Sequence, residues 1–416
     1  MNFAKIALAS GTALTLSMSM ALADGNKAFL DQQDAGNNAL ITQSGNDNQS
    51  GSAADAMVQR GDSVTAGYNT LTIVQSSDGN SIGLSDGGVD QLAGPGVISQ
   101  NIATLTQSGA GGNVIGGVAQ FANGGPGSGG DANVLTVTQD GGNNTIAKID
   151  QEGKRNDRNT ATVTMSGTGS NIDLVQQRVS NDGGGVNNLT ISMSGADNGI
   201  GDFSAGGAAD LSGATAANFV QALATSTTAN VIISGTNNLV GSKQSGRANT
   251  VGTLDVGGND NQLGVLQNGS QNVMTVAAIT GQGNNVGVAQ LGNSNVASVT
   301  AAGDRNAFYV GQNGVANDAT VTITGNDNGQ ANAFSGLATT LGLSSGVFEQ
   351  MGNDNSLTFD AMGNMNAFAT LQDGADNSIN GAQTGNANQV AVAQIGHANT
   401  AGFSQTGNGN NAAISQ

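Results

Sequence analysis

Residues 383–416 read QTGNANQVAVAQIGHANTAGFSQTGNGNNAAISQ, with a glutamine at 383, 394, 405 and 416. The same 11-residue step runs back through Gln372, Ala361 and Gln350. Two residues after these positions come glycines (Gly352, Gly363, Gly374, Gly385, Gly396, Gly407). Three residues further come asparagines (Asn355, Asn366, Asn377, Asn388, Asn399, Asn410). No insertion interrupts the register between Gln350 and Gln416. A fixed short period of this kind is the signature of a repeat architecture.

Within one unit, Asn388, Val390, Val392 and Gln394 fall on one face of an extended chain, because side chains alternate along a strand. The next unit places Asn399, Ala401, Phe403 and Gln405 there. The glycine and its polar neighbours then turn the chain. Each unit is one strand and one corner, and two units make a coil of 22 residues. Stacked coils pair along the axis at about 4.8 Å per strand, so each inward side chain meets its own copy above and below. Buried amides need such partners, or each costs about 1–3 kcal/mol. The expected fold is therefore all-β: a β-solenoid of two-strand coils with Gly-rich loop insertions. Its ladder residues are Gln350, Asn355, Asn366, Gln372, Asn377, Gln383, Asn388, Gln394, Asn399, Gln405, Asn410 and Gln416. Further upstream, Gln244, Gln267, Gln290 and Gln312 are spaced 23, 23 and 22. The alternate slots hold Asp255, Ala278 or its neighbour, Ala301 and Ile323. One strand per coil carries the glutamine ladder and the other often does not.

Towards the N-terminus, residues 1–23 read as a secretory signal: Lys5, a mostly apolar run, and Ala21-Leu22-Ala23 before Asp24. Residues 24–36 fit no unit and read as a flexible leader. The array is expected from 37 to 416, opening with Asn37, Ala39, Ile41 and Gln43 and continuing through Asn69–Gln75, Asn101–Gln107 and Asn133–Gln139. Met165 and Met193 take the glutamine slot, and the spacing slips by one at Gln151 and Gln177. Segments near 76–100, 121–132, 178–186, 199–229 and 329–346 break the pattern and read as loops bulging from corners. Residues 199–229 have room for a short helix on the solenoid side. Pro95 and Pro126 both lie in these segments, consistent with strands that must donate backbone hydrogen bonds.

The 416 residues carry a formal net charge of −18 yet only 10% charged side chains, with 66 glycines, no cysteine and no tryptophan. Large apolar side chains are too few for an ordinary globular core, and strand alternation inside a period of 11 argues against disorder. Acidity argues against a nucleic-acid partner. The lone histidine, His397, sits in a corner slot. No Ser/His/Asp set, Cys/His metal cluster or phosphate loop emerges, so the expectation is a non-enzymatic chain without cofactor or metal.

The motif Gln-x-Gly-x-x-Asn-x-Ala-x-x-x-Gln resembles the curlin repeat of curli fibre subunits. It stands intact at Gln394, Gly396, Asn399, Ala401, Gln405 and again at Gln405, Gly407, Asn410, Ala412, Gln416. Elsewhere Val, Leu, Phe or Met replaces the alanine. The resemblance implies secretion through an outer-membrane pore, a related nucleator subunit, and polymerisation with other copies into extracellular amyloid fibres for adhesion and biofilm.

The residues also argue for self-assembly. Gln416 is itself a motif glutamine with no capping repeat after it, so the last coil is expected to template another copy. Gly-Asn-Asp-Asn corners occur at 45–48, 258–261, 325–328 and 352–355. Asp354 and Asp376, 22 residues apart, are expected to stack and repel, as gatekeepers against premature assembly. A solvated turn aspartate and a Ca²⁺ site are the alternatives at the same corners. Thr-x-Thr runs at 70–72, 136–138, 160–164 and 320–324 raise a second function, a monomeric secreted adhesin presenting a flat face to glycan or ice. A third, an autotransporter passenger, calls for a C-terminal barrel in place of these repeats.

Overall fold

The computed structural model describes residues 13–18, 24–34, 36–61, 68–85, 87–94, 99–123, 132–154, 157–179, 185–199, 203 and 207–416. They form two compact units, one of residues 1–198 with 219–227, the other of 199–218 with 228–416. Each unit is a stack of two-strand coils. Among the described residues the strand pairs are parallel and join a strand to its counterpart one coil on, because a coil returns the chain to the same side each time. Among the described residues no helix is long and apolar enough to cross a membrane.

In the second unit, one sheet runs from Thr228–Ile233 to Thr400–Thr406 and the other from Leu239–Arg247 to Asn411–Ser415. The first is called here the threonine sheet and the second the glutamine sheet, after their outer and inner side chains. Inward positions of both are buried, as with Val390, Val392 and Gln394 in one and Ile379 and Gln383 in the other, except in the last coil, where Phe403, Gln405, Ala412 and Ile414 are half-buried. Near residues 308–403 the narrow interior holds an aromatic cluster. Phe348 stacks on Phe368 at 5.1 Å, and Phe359 lies 5.0 Å from Phe368. Each fully buried phenylalanine contributes about 1.5–3 kcal/mol. Gly381 makes room for this cluster. It faces inward between Phe359 and Phe403, and a Cβ there would lie 2.1 Å from the Phe403 ring.

The coils of 23 residues have a local cause. Pairing passes from Ala229↔Val251 to Val231↔Leu254 and from Met274↔Ala297 to Val276↔Ser298, so strands Thr250–Asn259 and Val273–Gln282 each carry one extra residue as a bulge. The bulge also corrects the expected slot occupants. Asp255 points outward and is exposed and Ala278 is half-buried on the same face, while Val256 and Ile279, the neighbour of Ala278, face the core in line with Ala301 and Ile323.

In the first unit, Asn37–Gln43, Tyr68–Gln75, Gln100–Gly111, Ala132–Gly142, Arg158–Met165 and Val186–Met193 stack as one sheet. Met165 and Met193 occupy the glutamine slot and are buried. The opposite sheet differs from the sequence expectation in three places. Residues 24–36 are no leader: Lys27–Ala28 and Leu30–Gln33 are strands, Asn26 and Gln32 taking the repeat's amide positions. Segment 76–100 is no simple loop, since Ser81–Ile82 and Val89–Ala93 pair into the same sheet. The slip at Gln151 and Gln177 lies mid-strand, where pairing skips Gly116, Ala147 and Asp173.

Within segment 199–229, the expected short helix is the turn Ala208–Leu211, while Asn218–Thr225 and Thr228–Ile233 are strands. Segment 329–346 contains the 3₁₀ turn Gly336–Leu341. Pro95, Pro126 and most of the expected signal lie outside the described residues. The one described part of that signal, Ala13–Met18, is a strand paired with Asn38–Gln43.

Candidate assembly surface: the amide ladders

The twelve amides named from sequence fall into four separate columns rather than one. Gln350, Gln372, Gln394 and Gln416 stack in the glutamine sheet, in one column with Gln244, Gln267, Gln290 and Gln312. Each Nε2 donates to the Oε1 one coil on at 2.8–3.0 Å. Each also reaches a backbone carbonyl across the interior, as Gln372 does to Ser356 O at 3.0 Å. Gln383 and Gln405 form a short column in the threonine sheet, joined at 2.8 Å. The same slot upstream is apolar, holding Val256, Ile279, Ala301, Ile323 and Ala361.

Asparagines build the other two columns, one at each corner. Asn355 Oδ1 accepts from the backbone N–H of Asn377 at 3.2 Å and from its Nδ2 at 3.1 Å. Asn399 N–H then donates to Asn377 Oδ1 at 3.1 Å. At the opposite corner, Asn388 and Asn410 repeat the pattern on Asn366 and Asn388, at 3.0 Å each. The spare Nδ2 of Asn377 reaches Gly396 O at 3.0 Å, and that of Asn388 reaches Gly407 O at 2.9 Å. The side chain of one asparagine therefore binds a backbone N–H and a backbone carbonyl of the next coil, while its own backbone N–H is held by the asparagine of the coil before.

The corner glycines are a steric requirement. Gly374 has φ +127°, and a Cβ on it would lie 1.9 Å from Gly396 O. The coils approach too closely there for any side chain.

Asp354 and Asp376 stand in the left-handed region at φ 53° and 59°, both exposed. They occupy equivalent corner positions one coil apart, and their carboxylates take no described hydrogen bond or ion pair. Not every corner aspartate is so left. Arg305 grips Asp327 with Nε–Oδ1 2.6 Å and Nη2–Oδ2 2.8 Å across one coil. That hydrogen-bonded guanidinium holds the Asp327 carboxyl below the usual carboxylate range. Among the described residues no group of three or more acidic or histidine side chains gathers to hold a metal ion. His397 lies exposed at a corner.

Sequence spacing caught only Gln151 and Gln177 of a longer glutamine column. Gln32, Gln59, Gln91, Gln120, Gln151, Gln177 and Gln221 are joined by Nε2–Oε1 bonds at 2.7–2.8 Å in the first unit. Its signal was obscured because insertions split the strands rather than the corners. Residues 51–56 divide Gln49–Ser50 from Met57–Arg60, so Asn48 and Gln59 lie 11 apart instead of 6.

A family model described as the curlin associated repeat matches residues 385–416. Residues 385–416 are similar to the curlin repeat. Comparison with curated protein sequences returns no match. Within the matched stretch, the motif residues Gln394, Asn388, Asn399 and Asn410 all bond between coils. The curlin glycines Gly385, Gly396 and Gly407 all have φ between 107° and 117°.

Proposed function

We propose that this chain is a structural subunit of an extracellular, curli-like amyloid fibre serving cell adhesion and biofilm matrix. The observation that carries the reading is the stack of identical buried amides, each completing its bonds only with its copy one coil on. Such a column is extended by adding coils, whether from the same chain or another. The curlin repeats at 385–416 favour the same reading. The proposal includes secretion to the cell surface through an outer-membrane pore, a related nucleator subunit, homopolymerisation, and no catalytic role. The test is to dilute denatured residues 24–416 and follow the product by sedimentation, electron microscopy and fibre diffraction. A meridional spacing of about 4.8 Å supports the proposal; a persistent monomer at high concentration refutes it.

A second reading is favoured by one specific observation. Threonines that look scattered in sequence align on the outer face of the first unit: Thr72, Thr104, Thr136, Thr162 and Thr190 form one file. Thr106, Thr138 and Thr164 form the next. A regular hydroxyl surface suits a periodic ligand such as ice or a glycan. Retention of the monomer on insoluble glycan, or shaping of ice crystals, distinguishes this adhesin-like function from the fibre.

A further inference from the structure

Two insertions of the second unit lie as straps across the outer surface of the glutamine sheet. The first carries the turn Ala208–Leu211 and covers strands Gln262–Ser270, Asn285–Asn293 and Ala307–Val315, with Ala209 N–H donating to Asn285 Oδ1 at 2.6 Å. Gly241, Gly264 and Gly287, in register beneath it, leave the room it needs. Cβ atoms there would lie 2.1 Å from Thr215 O, 2.5 Å from Ala209 O and 1.8 Å from Ala208 O. The second strap carries the turn Gly336–Leu341 and covers Gln389–His397 and Asn411–Ser415, with Ala338 N–H donating to Asn411 Oδ1 at 2.8 Å. Strands Val347–Asn353 and Ala367–Ala375 pass between the two straps.

A cavity of about 500 Å³ fills this gap, a size typical of small-molecule sites. Leu211 walls it from the first strap and Leu343 from the second insertion, while Val347 and Ala369 belong to the sheet beneath. Leu211 is 49% exposed, so this apolar wall has no protein partner covering it fully. Tyr309 precedes Val347 in the same outward file. Its Cδ2 lies 3.2 Å from where a Cβ on Gly287 would sit, and the opposite ring atom, Cε1, lies 2.8 Å from that of Gly311. With both edges that near the backbone, the ring lies down on the sheet and turns its other face to the cavity. Gly311 has no positive φ; the ring above it is the physical reason for glycine at that point in a strand. Glu349 is exposed and is the one charged residue lining the cavity. Burial, and after it the Glu349 charge, raise the Tyr309 hydroxyl above its usual range.

We propose that this cavity binds a small organic cation, its alkylated ammonium group seated between the Tyr309 ring face and the Glu349 carboxylate. An aromatic face attracts such a group through its quadrupole, and the carboxylate supplies the counter-charge. The alkyl part rests on Leu211, Leu343 and Val347. No basic side chain lines the cavity, so an anion finds no partner there. A sugar needs several directed donors and acceptors, and one carboxylate with the Tyr309 and Ser344 hydroxyls is a sparse set for it. The net charge of −18 concentrates cations near the chain. The repeat alone does not build this site, because both leucine walls come from insertions. The proposal does not depend on polymerisation.

The test is calorimetric titration of the folded chain with choline, beside dimethylbutanol, the uncharged carbon analogue of choline. Choline is expected to bind at least ~10-fold more tightly than the alcohol. Tyr309→Phe keeps the ring face and is expected to hold the affinity within ~2-fold. Tyr309→Leu and Glu349→Gln are each expected to weaken binding by ~5- to 30-fold. Glu349 is exposed on the outer face, so Glu349→Gln leaves the amide column intact and decides the matter even if Tyr309→Leu fails to fold. Phosphatidylcholine vesicles form a second arm. Cosedimentation that Glu349→Gln abolishes supports the site with a lipid headgroup as its ligand, and choline binding without cosedimentation supports it with a soluble cation. Equal affinity for choline and the alcohol overturns the proposal. So does the lack of saturable binding up to about 50 mM choline, or binding that Glu349→Gln leaves unchanged.

Discussion

Gln372→Leu is the sharpest test of the amide columns. Gln372 is fully buried, donates to Gln394 Oε1 at 3.0 Å and to Ser356 O at 3.0 Å, and accepts from Gln350 Nε2 at 2.9 Å. Leucine nearly preserves volume, so the cavity penalty is small. What remains is polar. Gln394 Oε1 loses its ladder donor, while Gln350 Nε2 keeps Asp318 O and Asn355 O. One orphaned acceptor costs about 1–3 kcal/mol, and the lost bonds add about 1 kcal/mol more. A local loss of about 2–4 kcal/mol corresponds to a ~30- to 900-fold fall in amide-exchange protection, at 1.36 kcal/mol per decade. The fall is expected in strands Val347–Asn353, Ala367–Ala375 and Gln389–His397, measured by hydrogen exchange with mass spectrometry. Extending the change to Gln350→Leu and Gln394→Leu is expected to cost less than the sum of the single variants, because leucines then face leucines. The apolar column of Val256, Ile279, Ala301 and Ile323 shows that such a slot is compatible with this fold. A loss below about 0.5 kcal/mol for Gln372→Leu would refute the claim that laddered amides must be partnered.

Three further outcomes follow from named contacts. Asp354→Asn with Asp376→Asn is expected to shorten the lag of fibre growth in a dye-binding assay, by removing like charges at equivalent corners; an unchanged lag rejects the gatekeeper role. Gly381→Ala places a methyl against the Phe403 ring and is expected to cost about 1–3 kcal/mol by overpacking. Adding Phe403→Leu should recover part of that loss in denaturant midpoint, and failure to recover it removes the steric account. Burial raises the Asp318 carboxyl above the usual range, and burial likewise raises Asp90 against the opposing pull of Arg60. A carboxyl raised in the fold binds its proton more tightly there than in the unfolded chain. Its contribution is therefore complete below the unfolded value and is lost as pH rises through the folded one. Local protection around Asp318 should rise as pH falls from about 7 towards 4, and Asp318→Asn should flatten that rise. Asp327, lowered by Arg305, acts in the opposite sense and loses its contribution as pH falls through its folded value.

Much of this architecture is written in local spacing. Between Gln350 and Gln416 the alternation of Asn, apolar residues and Gln specified the inward face. The glycines at a constant offset specified the corners, because strand alternation and positive φ are properties of a few consecutive residues. The same logic failed upstream wherever extra residues entered a strand. Residues 51–56 and 83–88 split strands without changing which side chains face inward, so the Gln59–Gln91 column kept its geometry and lost its period. Asn26, Ala28, Leu30 and Gln32 carry the same alternation as the C-terminal units, but irregular flanks hide their period.

By itself the sequence determined that amides recur every 11 residues and that the chain must turn between them. Which amides bond to which was decided by coil closure, since partners lie 22 to 44 residues apart and the separation changes with each insertion. The docking of the two straps was decided there as well. The file of Gly241, Gly264 and Gly287 exists only once three coils are stacked, and no single strand carries the information that a backbone will cross it.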